Sequence, residues 1–512
     1  MARRTKLTLA LVVGISLAAA SCSSDSKEAV KATTAPTTAT KTTDGATTPS
    51  AASGDTTPVA TNPVATDPPA TDPAEELTAS DTGVTADTIT IAVAIADLAA
   101  IRAYGISIPE TLTSEHLLKR WQIYADKWNA AGGINGRQVK LVQVMWDPLN
   151  PKTFDALVAA ATVDQDVFML VNGSGLSGVA MQGLVDAGVP VVYGDVVSQT
   201  LLDSGLVISL APSAQVVAGA GVDGWVKAGS LPKGTKVGVL ASNSPLIQAA
   251  GKAAGDALTA AGYDVQVIET NSLGGDNAAT VEEGAAAVGT FQANGVQHVF
   301  MATPFTENGG FWSAAATAGL KYTILDTAAS QCSTFGLSRA PAAAAGSECA
   351  TVFDHSTSEG KGVRPDTSFE AECRAFYDAN FTDYYGGPSD PGVPAGSKLT
   401  DPDGKVLISD YAPSECTIST FLEKALKNAG VNPTRKSFIE AVLNLGDVDM
   451  ALASNGKGSF APGKPYAADF IHTVRITAAD EKVKAGADGT YNGCAAPVNC
   501  GIVISDWTPL AK

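Results

Sequence analysis

The sequence predicts an α/β protein with parallel sheets, and three observations carry that prediction. Short apolar, β-rich runs alternate with helical stretches from residue 89 to residue 325. Buried runs that alternate with helices in this way belong to βαβ units. The alternation breaks near residues 210–212, where one series of units ends and a second begins. With 512 residues, of which 45% are hydrophobic, the chain is long enough to bury two cores. Thirty-four Lys+Arg against 52 Asp+Glu, a net charge of −18, leaves no basic footprint for nucleic acid. No stretch of 18 or more apolar residues makes the chain a polytopic membrane protein.

The N-terminus reads as an address. Arg3, Arg4 and Lys6 precede an apolar stretch over 7–20, and small residues lead to Cys22. That order describes a secretory signal over residues 1–21. Residues 17–22 (LAAASC) resemble a bacterial lipobox, which implies that Cys22 is lipidated and anchors the protein to the outer face of the cell membrane. Ala19 stands where that pattern prefers leucine. The alternative is a plain signal peptide cut near Ala20. Residues 22–83 are then a Thr/Ala/Pro-rich tether that lacks the apolar area to offset its chain entropy.

The ordered elements follow in sequence. Strands are predicted at 89–96, 139–145, 167–171, 189–193, 236–240, 265–269, 298–302 and 322–325. Helices are predicted at 112–131, 176–187, 212–228, 245–261, 278–293 and 311–318. In the first of these Leu117, Leu118, Trp121, Tyr124, Ala125 and Trp128 share one face, Gly132-Gly133 stops the helix, and Asn135-Gly136 turns into the next strand. After about residue 327 the pattern becomes loop-rich and cysteine-bearing, with a Gly/Pro/Asp-rich insertion at 385–405. Helices at 410–429 and 434–445 and strand-like segments at 470–476 and 502–505 close the chain.

Seven cysteines divide into one and six. With Cys22 set aside, Cys332, Cys349, Cys373, Cys416, Cys494 and Cys500 form an even set in an exported domain, which suggests three disulfides. Six cysteines allow fifteen connectivities; sequential pairing (Cys332–Cys349, Cys373–Cys416, Cys494–Cys500) closes short loops and is the one expected. No Cys-x-x-Cys spacing is present, and the four histidines (His116, His298, His355, His472) are far apart, so no metal and no cofactor is expected. A Gly-x-Ser-x-Gly elbow, a phosphate loop and a His-centred triad are all missing from the sequence, which argues against an enzyme.

Residues 124–137 (YADKWNAAGGINGR) resemble the signature of the branched-chain amino-acid-binding (leucine/isoleucine/valine-binding) proteins, type I periplasmic solute-binding proteins of ABC transporters. Tyr104-Gly105, Ser174, Glu307-Asn308-Gly309, Gly319-Leu320-Lys321, the run 425–430 and Pro433-Thr434 fall at family-like positions. The resemblance covers roughly residues 84–475. It implies two Rossmann-like lobes with parallel sheets joined by a three-crossover hinge, with ligand held in the cleft between them. Lobe I would take 84–211 and 327–449, the latter bearing the disulfide-rich insertion; lobe II would take 212–326 and 450–512.

The same resemblance supplies candidate ligand residues, all in loops that follow strands, where open α/β sheets hold ligands. Ser174, in the loop 172–175 before a helix, would bind an α-carboxylate, or else simply cap that helix. Val196 and Ser198 would offer backbone groups and a hydroxyl, while Asp195 would face an ammonium or cap the following turn. Glu307 would pair with the ligand ammonium, or face solvent at the start of its helix. Tyr104 would cover the ligand or pack at a lobe edge. The loop 241–246 lacks the family's tyrosine-glycine pair, with Leu246 in roughly that place, so a branched-chain amino acid is not assumed. The expectation is a monomeric solute-binding lipoprotein that hands a small amino-acid-like ligand to an ABC permease. The alternative is a sensor module of the same fold.

Overall fold

The computed structural model describes residues 76–103, 113–147, 150, 152–173, 175–244, 247–271, 277–304, 308–327, 331–332, 344–354, 367–380, 399–400, 406–407, 412–477, 484–485, 490–491 and 501–510. All fall within the unit Pro73–Lys512.

The first half of the chain forms a five-stranded sheet. Strand β1 (Thr88–Ala96), helices α1 (Leu98–Ala103) and α2 (Ser114–Ala130), β2 (Gln138–Trp146), α3 (Lys152–Ala159), β3 (Met169–Asn172), α4 (Gly178–Asp186), β4 (Val191–Tyr193), α5 (Gln199–Asp203) and β5 (Val207–Ser209) follow one another. The strand order is β2-β1-β3-β4-β5 and every pairing is parallel. In β1 only the alternate early residues and the last are partly exposed; β3 and β4 are buried throughout, as strands covered on both faces must be. Helix α2 starts at a Thr113–His116 capping box and ends at the Gly132-Gly133 turn, both glycines with positive φ.

A second sheet follows. Helix α6 (Ala214–Ala228), β6 (Lys236–Ser242), α7 (Gln248–Ala260), β7 (Asp264–Thr270), α8 (Asn277–Ala293), β8 (His298–Ala302), α9 (Asn308–Ala318), β9 (Lys321–Leu325) and β10 (Glu348–Thr351) lead to α10 (Ser368–Asn380). The short pair β11 (Leu399–Thr400) and β12 (Val406–Leu407) precedes α11 (Pro413–Asn428) and α12 (Arg435–Leu443). Then come the hairpin β13 (Gly446–Asp449) and β14 (Lys457–Phe460), β15 (Phe470–Ile476), the pair β16 (Lys484–Ala485) and β17 (Thr490–Tyr491), β18 (Gly501–Val503) and β19 (Thr508–Pro509). The sheet order is β18-β15-β10-β9-β8-β6-β7, with β19 also on β15. Strands β6 to β10 run parallel; β15 and β18 are antiparallel additions.

Helices cover both faces of each sheet. Trp121, Trp128, Phe421 and Phe438 pack against Val93 and Val171 of the first sheet, with Leu157, Met181 and Leu184 on its other side. Val217, Val222 and Leu258 pack on Val239 and Phe300 of the second, opposite Phe291, Phe311 and Trp312. The two helices at 413–443, distant in sequence, thus complete the first layer.

The boundary expected at residue 327 falls one strand early. Strand β10 pairs with β9 in parallel and with β15 in antiparallel fashion, so Glu348–Thr351 belongs to the second sheet. The cause is a buried Cys349 and Ala350, seated between two partners, one of which comes from more than a hundred residues later. The chain returns to the first layer only afterwards, at α10. It passes between the layers after β5, after β10 and between β14 and β15, and these passages lie side by side. Ser209 N donates to Pro465 O (2.9 Å), Ala467 N to Ser209 O (3.0 Å), and Phe353 O, just after β10, pairs with His472 Nε2 at the start of β15 (3.0 Å). Two of the expected disulfide pairs are present, Cys332–Cys349 and Cys373–Cys416, with Cα separations of 5.8 and 6.0 Å. Cys494, Cys500 and Cys22 lie outside the described residues.

Candidate functional site

In parallel α/β sheets the loops beyond the carboxyl ends of the strands are where ligands bind. In the first sheet these ends are tied together closely. Asn172 Nδ2 at the end of β3 donates to Ala94 O of β1 (2.9 Å), and Gly194 N donates to Asn172 O (2.9 Å). A Cβ on Gly194 would lie 1.7 Å from Gly173 O, so only glycine allows this approach. The buried phenol oxygen of Tyr193 accepts the N–H of Gly175 at 2.9 Å. This backbone donor of the loop before α4 therefore points at Tyr193. Beside the loop stands an ion pair, Arg120 on α2 and Glu415 on α11, 4.0 Å apart and each less than a fifth exposed. A Cβ on Gly173 would sit 3.1 Å from Glu415 Oε1.

The second sheet ends in a buried polar network. Asp326, immediately after β9, accepts Gln331 N–H at Oδ1 (2.6 Å) and the Thr351 hydroxyl at Oδ2 (2.7 Å). Gln331 in turn joins Asn308 and Thr303 at the end of β8. Burial, and then the nearby Asp195 carboxylate, push Asp326 up to about 7 against the hydrogen bonds from Thr351 and Gln331. Asp195 follows β4 of the first sheet, so strand ends of both sheets converge on this point.

Residues 114–387, more than half of the chain, match the family model described as periplasmic binding protein. The chain belongs to the periplasmic binding protein family. Its architecture is similar to solved structures of substrate-binding proteins. A fatty acid ABC transporter substrate-binding protein from Thermomonospora curvata aligns over 84% of this chain and 94% of its own, with a TM-score of 0.55 at 14% identity. A solute binding protein of an ABC transporter from Rhodopseudomonas palustris BisB5, in complex with 3,4-dihydroxy benzoic acid, covers 83% and 98% with a TM-score of 0.55 at 15% identity. An ABC transporter substrate-binding protein from Desulfitobacterium hafniense in complex with Leu covers 79% and 99% with a TM-score of 0.50 at 16% identity. At these identities the likeness is one of fold. No curated protein matches the sequence. Membership of the family implies an extracytoplasmic location, and among the described residues no helix is long and apolar enough to cross a membrane.

Tyr104, Ser174 and Glu307 lie outside the described residues. Asp195, Val196 and Ser198 fall in one loop between β4 and α5, each with a structural task. Asp195 is fully buried, its Oδ1 accepts Val196 N–H (2.7 Å), and its carbonyl accepts the Ser209 hydroxyl. Val196 packs in the main core, and Ser198 caps α5 by accepting Leu201 N–H (3.3 Å). Sequence reasoning missed Tyr193 as a brace, the Arg120–Glu415 pair, and the Thr303, Asn308, Asp326 and Gln331 network. Thr303 and Asp326 directly follow predicted strands and carried a positional signal; Gln331 and Glu415 carried none.

Proposed function

We propose that the protein is a lipid-anchored solute-binding protein that captures a small, carboxylate-bearing, amino-acid-like molecule between its two layers and passes it to an ABC importer. The observation that carries this reading is the meeting of Asp195 from the first sheet with Asp326 from the second, at strand ends joined by side-by-side crossovers. Closure of two such layers around a solute stabilises the closed state by the difference in affinity between the two states. The ligands of the structural relatives, a fatty acid, leucine and 3,4-dihydroxybenzoic acid, have a carboxylate in common. With Gly175 N–H turned to Tyr193, Arg120 beside the loop is the group we assign to that carboxylate, together with Ser174 and the groups offered by Val196 and Ser198, while Asp195 caps the turn through Val196 N–H. Glu307 would take an ammonium and Tyr104 would cover the ligand.

A thermal-shift screen of the purified protein against amino acids, hydroxybenzoates and fatty acids tests the reading. At a ligand concentration of about 100 Kd the binder stabilises the fold by about 2.7 kcal/mol. A screen in which no carboxylate raises the melting temperature, while neutral solutes do, would sink the ligand class. For the anchor, Cys22→Ala should move the protein from the membrane to the soluble fraction; continued sedimentation with membranes would refute lipidation.

A further inference from the structure

Thr303, Asn308 and Gln331 have no exposed surface, yet their polar groups close on one another. Thr303 Oγ1 donates to Asn308 Oδ1 (2.6 Å), Asn308 Nδ2 donates to Gln331 Oε1, and Gln331 Nε2 donates to Thr303 O (2.9 Å). The Gln331 backbone is held separately, through its N–H on Asp326 Oδ1. Asp326 is fixed from the other side by the Thr351 hydroxyl of β10. The neighbouring Cys332 is bonded to Cys349, also on β10. One residue therefore links the end of β8, the first residue of α9, the end of β9 and, through Asp326, the end of β10.

Burying these groups is costly unless every one is bonded, and an apolar side chain would fill the same space without that cost. What a satisfied buried ring adds is rigidity and a unique arrangement. This ring stands at the strand ends, the side on which a ligand would be held, and a binding site is only as well placed as the groups that support it. We propose that Gln331 is a positioning residue of the binding cleft: without touching ligand, it sets the loop after β8 against the loop after β9. The proposal rests on the reading of the strand ends as the cleft.

Hydrogen exchange on the full ligand-free protein tests the coupling. Gln331→Met removes the amide at similar length, and Thr303→Val removes only the hydroxyl that reaches Asn308, so that a folded variant is in hand if the first fails. Leu258→Val, on the buried face of α7, serves as a core-packing control. The amides of α9 should exchange at least about tenfold faster in both ring variants, with α6 and α7 unchanged, and no such local change in Leu258→Val. Where the protein binds L-leucine or 3,4-dihydroxybenzoate, Kd should rise at least about fivefold in Gln331→Met and stay constant in Leu258→Val. Unchanged exchange in α9, or acceleration equal to that of the control, would overturn the proposal. Because the exchange arm contains no ligand, it is separate from a failure of the cleft reading, which would show as unaltered affinity for either probe in Ser174→Ala.

Discussion

Asp326 and His298 are buried titratable residues of the second sheet, at opposite ends of neighbouring strands, and their environments drive them in opposite directions. Asp326 is raised from 3.8 to about 7 by burial and by Asp195. Between those values the folded chain holds a proton that the unfolded chain has lost, so its contribution to stability falls as pH rises. Burial lowers His298 from 6.5 to about 3, with Nε2 paired to the Thr323 hydroxyl at 2.8 Å. Here the unfolded chain binds the proton first, and the contribution falls as pH drops from 6.5. From about pH 4 to 6.5 the two slopes oppose, each at most about 1.4 kcal/mol per pH unit. Denaturant midpoints across this range read the two contributions as differences between variants. Asp326→Asn should become more stable with rising pH, and His298→Gln less stable; parallel curves for all three would show that neither group titrates as described. At this scale the sequence singled out one of the two carboxylates. Asp195 stood out through the family resemblance, while Asp326 directly follows a predicted strand of the other sheet, and only folding brings the two together.

Among the elements, legibility followed length and side-chain type. β1, β6 and β8 were plain as runs of valine, isoleucine and other apolar residues. β5 and α5, at three and five residues, are too short to show a period. β10 (Glu-Cys-Ala-Thr) has little β propensity of its own. It is a strand because β9 and β15 flank it and because Cys349 is tied to Cys332. That bond spans 17 residues, and a loop of this size is worth about 3 kcal/mol in the chain-entropy description. Replacing both Cys332 and Cys349 by alanine should lower the melting temperature and speed exchange in β10 and in the 331–332 turn ahead of β1 to β5. Equal loosening of both sheets would show that the bond braces the whole molecule and not the second sheet's strand ends.

For the whole molecule, two layers with parallel cores, passages between them and strand ends that converge are the architecture of a periplasmic solute-binding protein. The two-sheet division was legible from the break near 210–212, because β5 ends there and the next helix begins a new sheet. The second crossover was not, because the chain adds β10 before returning and no composition change marks that step. If the strand ends capture one solute per molecule, as proposed, binding must saturate at a single site. Titration calorimetry of the full protein with L-leucine, 3,4-dihydroxybenzoate and a fatty acid tests it most directly. One of these should bind with a stoichiometry of one; Ser174→Ala should weaken it by about tenfold, near 1.4 kcal/mol, and Glu307→Ala should do the same for L-leucine, which carries an ammonium. Binding of full strength in both variants, or no binding of any carboxylate, would contradict the proposed capture.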